Sequence, residues 1–116
     1  LEKVYAGYTG DDDESYDRYT AENRQFHCLI AEATGNRELA GLVGHLHDRL
    51  ARFMVVRRAG QSMQHGHGQI IQALRSRDAD AARGALLEEL NDTRQVVLDH
   101  VIQEQGGSWR LGWKRD

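Results

Sequence analysis

Asn23, His27, His67 and Glu89 are the residues of this chain whose types and spacing could do chemistry. The first two open the stretch NRQFHCLIAEATGN, residues 23–36, and share a helical face with Phe26 and Ile30. His67 falls between Met63 and Ile70 on the apolar stripe of its own segment. Glu89 lies on the row Ala82, Leu86, Glu89, Thr93, Val96, His100, at the edge of the apolar stripe of the last helix. Three helices thus each aim a nitrogen or oxygen donor at a shared interior. Buried without partners, such groups would cost about 2–7 kcal/mol each, so they must satisfy one another, a water, a metal or a ligand. A hydrogen-bonded set of core histidines is the plain reading. Convergence of donors from facing helices is also how metal and cofactor sites are built in bundles.

Other polar residues compete for these roles. His45 and His47 form one H-x-H pair, and His65 with His67 another, in HGHG. Positions i and i+2 diverge on a helix, so each pair supplies at most one inward group, and His45, His47 and His65 are expected to be solvated. Arg49 and Arg52 share a helix row and could clamp a carboxylate, with simple solvation as the competing reading.

The elements that must position these groups are helices. The chain has no proline and twelve glycines, so glycine has to supply the punctuation. Residues 1–8 form a short amphipathic piece, and Asp11, Asp12, Asp13 and Glu14 crowd the next start, where carboxylates suit the helix dipole. A second segment, about 12–34, carries Tyr16, Tyr19, Asn23, Phe26, Ile30 and Ala33 as one stripe. Gly35 closes it and Asn36 caps the next helix. Residues 37–59 carry Leu39, Leu42, Val43, Leu46, Leu50, Phe53 and Met54 and end at Gly60. Gly41 and Gly44 lie inside that helix and cost roughly 1 kcal/mol each against alanine; either a closely approaching helix offsets this or the helix is simply weak. Residues 62–76 place Met63, His67, Ile70, Ile71 and Leu74 on one face. Asp78 caps a last helix to about residue 103, faced by Ala82, Leu86, Leu90, Val97 and Val101 and stopped by Gly106 and Gly107.

No alternating β-branched run and no hairpin dipeptide appears. The expected fold is an all-α antiparallel helix bundle over residues 1–105, followed by a tail, 106–116, whose Trp109 and Trp113 either dock or fray.

The bulk numbers agree with one globular domain: 116 residues, 40% apolar and 28% charged. A net charge of −3, with both signs interleaved, argues against a nucleic-acid surface within these residues. No apolar run approaches the ~20 residues that span a bilayer, and no signal peptide is visible, so no membrane partner is expected. The single Cys28 forms no internal disulfide, which suits a reducing cytoplasm. The chain begins at Leu1 rather than Met and is expected to be a piece of something longer.

With these residues in view, the chain resembles the C-terminal effector-binding (FCD) domain of GntR-type transcription regulators of the FadR-like group. NRQFHCLIAEATGN matches the family's Asp or Asn, three residues, Phe-His pair and closing Gly-Asn; HGQIIQALRSRDADAARGAL matches its His, xxIxxAL and capped alanine-rich helix. The resemblance implies an all-helical dimeric bundle, tethered to an N-terminal winged helix-turn-helix that is absent from these residues and contacts DNA. It also implies a divalent metal on one Asp or Asn and three histidines, with a small carboxylate bound beside it. Asn23 stands at the first position, and His27 and His67 at the first two histidines. The third histidine is replaced by Glu89, which can still ligate Zn²⁺, Mn²⁺ or Ni²⁺.

The leading expectation is therefore a non-enzymatic sensor: a homodimeric domain that binds a small organic acid and controls DNA binding by another domain. A metal-dependent hydrolase on the same bundle is the rival, but it needs a spare inward carboxylate as base, and none is seen. A ligand-free dimerisation module is the third reading.

Overall fold

The computed structural model describes residues 13–51 and 57–114, which form four helices and, among the described residues, no strand. They are α1 (Asp13–Ala33), α2 (Arg37–Leu50), α3 (Arg57–Arg75) and α4 (Ala79–Lys114). The all-α bundle expected from the helical periodicity is the fold. The amphipathic piece at residues 1–8, Arg52, Phe53 and Met54 lie outside the described residues. No described helix is long and apolar enough to cross a membrane.

Local sequence sets both tight connections. After α1, Gly35 takes φ +78° and its N–H reaches the Glu32 carbonyl at 3.0 Å, a left-handed stop that glycine adopts without strain. Asn36 then accepts a hydrogen bond from the Leu39 N–H at 3.0 Å and caps α2, while its own N–H donates to Thr34 Oγ1. The α3–α4 turn does the same work without glycine. Arg77 takes φ +53°, the Arg77 and Asp78 N–H groups return to the Leu74 and Ala73 carbonyls, and Asp78 Oδ1 accepts from the Ala81 N–H at 3.0 Å. This is a Schellman stop followed at once by an N-cap.

Two expected boundaries move. α2 ends at Leu50 rather than near residue 59, and Gly60 lies inside α3, which starts at Arg57. Residues 52–56, between the two helices, lie outside the described residues. α4 runs through Gly106 and Gly107 to Lys114 instead of stopping there, so the backbone of the expected tail continues the helix. A helical glycine costs roughly 1 kcal/mol but keeps its N–H and carbonyl in the ladder, and no proline follows.

The helices pair as two hairpins, α1 on α2 and α3 on α4. The hairpins meet through side chains. Phe26 of α1 packs with Ile70 and Ile71 of α3, flanked by Ile30, Ala85 and Leu86. Burying such a side chain is worth about 1.5–3 kcal/mol.

The expected stripe of α2 is turned away from this core. Leu39, Leu42, Leu46 and Leu50 are exposed, while Ala40, Val43, Gly44 and His47 are buried or half-buried. The small face goes inward because α1 comes close: a Cβ on Gly44 would stand 2.9 Å from Arg24 Nη2 and 3.6 Å from Cys28 Sγ. Arg24 crosses that glycine to meet Asp48, with Nε–Oδ1 at 2.8 Å and Nη2–Oδ2 at 3.3 Å. Gly41, its sequence partner, faces open space. On α4, likewise, Leu90 is exposed, and the inward row is Ala82, Ala85, Leu86, Glu89 and Thr93.

Candidate metal centre

Between the hairpins lies a polar centre. Asn23, His67 and Glu89 are buried at 3%, 0% and 5% exposure, and His27 is half-buried. α1 supplies Asn23 and His27 one turn apart, α3 supplies His67 and α4 supplies Glu89. The rings are held by stacking: Phe26 lies 4.1 Å from His67 at 16°, and His27 meets His67 edge-on at 5.1 Å and 73°. Fixed rings offer nitrogens in fixed directions, which is what a binding site requires.

Glu89 Oε1 is the hub. It lies 3.0 Å from His27 Nε2 and 3.1 Å from His67 Nε2. An ionised carboxylate only accepts, so each ring presents its Nε2–H to that oxygen. Burial pushes the Glu89 carboxyl up, but the hydrogen bonds from His27 and His67 and their charge outweigh it and hold the group at about 2. Glu89 is thus an anion in the middle of the protein.

Space for that carboxylate comes from Gly66. A Cβ there would stand 3.1 Å from Glu89 Cγ and 3.2 Å from its Cβ. The first glycine of HGHG lets α4 lay Glu89 across α3.

A residue expected to be solvated belongs to the centre as well. His47 of α2 stacks on His27 at 5.1 Å and 23°, so all four helices contribute a polar side chain. Burial, then the neighbouring His27 and Arg24, lower its pKa to about 4. His47 was legible only as a residue three and four beyond Gly44 and Val43, the face that turns inward. His45 is exposed, as expected. Arg49 is not brought to the centre: it is exposed and sits two residues past His47, about 200° further around the helix.

Whether these residues fit a cation can be tested on their unmet valences. Asn23 Oδ1 and Glu89 Oε2 are buried with no hydrogen-bond partner, as is Thr93 Oγ1 one turn beyond Glu89. An orphaned buried acceptor costs about 1–3 kcal/mol, and a cation satisfies it. Donor atoms of His27, His67 and Glu89 lie within 4.8 Å of one another. Two imidazole nitrogens with amide and carboxylate oxygens form a set suited to Zn²⁺, Ni²⁺ or Mn²⁺. The residues fit. A shallow groove of about 600 Å³ between α3 and α4, lined by Gln69, Gln72, Ser76, Gly84 and Glu88, lies apart from them.

Fold and centre together define a class, an all-helical bundle with a buried polar centre. A model of the FCD domain matches residues 2–92, and the chain belongs to that family. FCD domains are the C-terminal effector-binding regulatory domains of GntR-family transcription regulators, which contact DNA through another domain. Comparison with curated proteins and with solved structures gives no match.

Proposed function

We propose that this domain binds a divalent metal on Asn23, His27, His67 and Glu89 and senses a small organic acid beside it. The carrying observation is the buried His27–Glu89–His67 cluster with two acceptors, Asn23 Oδ1 and Glu89 Oε2, left without partners. A divalent ion with one carboxylate among its ligands keeps a net positive charge, which favours an anionic effector. The domain works as a homodimer, and effector binding shifts how the two hairpins pack, which changes DNA binding by the regulator's other domain. Because the hairpins meet, among the described residues, through Phe26, Ile70 and Ile71 beside a polar centre, occupancy of that centre has leverage on their packing.

A hydrolase reading lacks support among the described residues, where Glu89 is the one buried carboxylate and is committed to two histidines. The metal-free alternative rests on the same hydrogen bonds: Oε1 is already satisfied by both rings.

Metal analysis after dialysis, with thermal melts in chelator and in Zn²⁺ or Ni²⁺, separates the two. Metal at a hundredfold its Kd should add about 2.7 kcal/mol to stability. His67→Ala should abolish that gain and itself cost about 3 kcal/mol, from a lost charged hydrogen bond and a lost stacked ring. A melt indifferent to chelator and metal in the parent protein would leave the hydrogen-bond network as the whole role of the cluster.

A further inference from the structure

Glu89 decides which ion the polar centre suits. Among the described residues, the donors of His27, His67 and Glu89 gather within 4.8 Å, and no third imidazole and no thiolate joins them. His47 stacks on His27 but stays outside that group, as does Cys28, half-buried on α1. Two imidazoles and one carboxylate on one face are the donor set of mononuclear non-haem ferrous sites, whose remaining positions stay open. Other ions suit the set less well. Structural Zn²⁺ takes four tetrahedral ligands, mostly from cysteine and histidine. Mn²⁺ favours a shell of oxygens, Cu²⁺ and Ni²⁺ a tetragonal set, and Cu⁺ sulfur.

The edges of the group fit six-coordination. Glu89 Oε1 lies 3.0 Å from His27 Nε2 and 3.1 Å from His67 Nε2. An octahedral ion with bonds of about 2.1–2.2 Å sets adjacent ligands about 3.0–3.1 Å apart, whereas tetrahedral Zn²⁺ spreads them to about 3.3–3.4 Å. Both edges are hydrogen-bond lengths too, so an ion takes the place of the two ring protons while the edges keep their length. Asn23 Oδ1, buried without a partner, offers an uncharged oxygen as a fourth ligand. Thr93 Oγ1, buried and unpartnered one turn beyond Glu89, remains as a hydrogen-bonding group for whatever fills the open positions.

We infer that the centre is a two-histidine, one-carboxylate ferrous site, with Fe²⁺ on His27, His67 and Glu89, Asn23 as a fourth ligand, and two positions of the octahedron left to the effector. This deepens the metal-binding reading above and rests on it. It names the ion and makes Glu89 the residue that narrows the advantage of Zn²⁺ over Fe²⁺. Absolute affinity still follows the general order in which Zn²⁺ exceeds Fe²⁺, so geometry and relative affinity are the quantities that report on the site.

Anaerobic loading of the complete 116-residue chain with Co²⁺, Fe²⁺ and Zn²⁺ is the test. Visible bands of Co²⁺ are weak in six-coordinate sites and intense in four-coordinate ones, and the parent should give weak bands. Nitric oxide added to the Fe²⁺-loaded protein should produce a new EPR signal, because the probe finds an open position beside the ion. In Glu89→His the ratio of Zn²⁺ to Fe²⁺ affinity should rise about tenfold or more, since an imidazole replaces an oxygen ligand. Intense Co²⁺ bands, a silent nitric oxide titration, or an unchanged ratio in a folded Glu89→His overturns the ferrous assignment and leaves metal binding itself standing. A parent whose binding heat and melting respond to none of the three ions overturns both. Where Glu89→His fails to fold, the Co²⁺ bands and the nitric oxide signal of the parent decide.

Discussion

Gly66 and Glu89 are in contact across α3 and α4, and a Cβ on residue 66 would come within 3.1 Å of Glu89 Cγ. Glu89 therefore reaches His27 and His67 over a residue with no side chain. Gly66→Ala gains roughly 1 kcal/mol of helix propensity, but overpacking at such a contact costs about 1–3 kcal/mol. The expected result is a net loss of stability together with weaker metal binding. A variant that melts higher and binds metal as the parent does would show that the contact relaxes freely and Gly66 has no positioning role.

Glu89→His exchanges a carboxylate for a third imidazole. Glu89 faces the cluster rather than solvent, with Oε1 at 3.0 and 3.1 Å from the two Nε2 atoms, so the substitution acts on the centre directly. Zn²⁺ and Ni²⁺ affinity should rise, and a small carboxylate should bind tighter because the occupied site becomes more positive. Calorimetric titration with metal, then with a panel of organic acids, reads both. Equal metal affinities in the two proteins would remove Glu89 from the ligand set.

Acid should destabilise the metal-free protein in two windows. Glu89 has a folded pKa of about 2 against 4.5, so the unfolded chain takes up the proton first and stability is lost as pH falls from about 4.5 to 2. The full effect is on the order of 3 kcal/mol. His47 is held neutral in the fold, with its pKa lowered from 6.5 to about 4. The unfolded chain again binds the proton first, so this contribution is present above pH 6.5 and fades between 6.5 and 4. Denaturant melts across pH should show both declines, with His47→Gln flattening the upper one and Glu89→Gln the lower. A His47→Gln profile that matches the parent between pH 4 and 6.5 would mean that this ring is not desolvated.

The two tight turns should respond in opposite directions to glycine. Arg77 holds φ +53° where a side chain is strained, so Arg77→Gly should stabilise by about 0.5–1 kcal/mol. Gly35→Ala, at φ +78°, should cost about 1 kcal/mol even though no atom crowds the new Cβ. Chemical denaturation measures both. A stabilised Gly35→Ala would contradict the backbone account of that turn.

Much of α1 was legible in its letters. Tyr19, Asn23 and Phe26 recur at helical spacing and are buried, and Gly35 with Asn36 marks the stop and the next start by their own backbone chemistry. The same holds for His67 and Glu89, because a polar residue on an apolar stripe is visible without coordinates. Thus the all-α class, two of the turns and the four inward donors came from local periodicity and capping. The start of α3 at Arg57 did not, because Gly60, read as a stop, sits inside the helix at a cost of only roughly 1 kcal/mol.

Tertiary structure decided what periodicity leaves open. α2 has two candidate faces, one of leucines and one of Ala40, Gly44 and His47, and hydrophobicity alone favours the first. Contact with α1 selects the second, because Arg24 passes within 2.9 Å of where a Cβ on Gly44 would stand. That choice carries His47 into the centre and leaves the leucines and Arg49 outside. Gly66 is similar: in sequence it is a weak point of a helix, and only the approach of Glu89 from α4 makes it a requirement. A sequence determines which side of a helix can be buried. Which neighbour arrives there, and how closely, depends on side chains dozens of residues away, whose volumes and charges meet only in the folded chain.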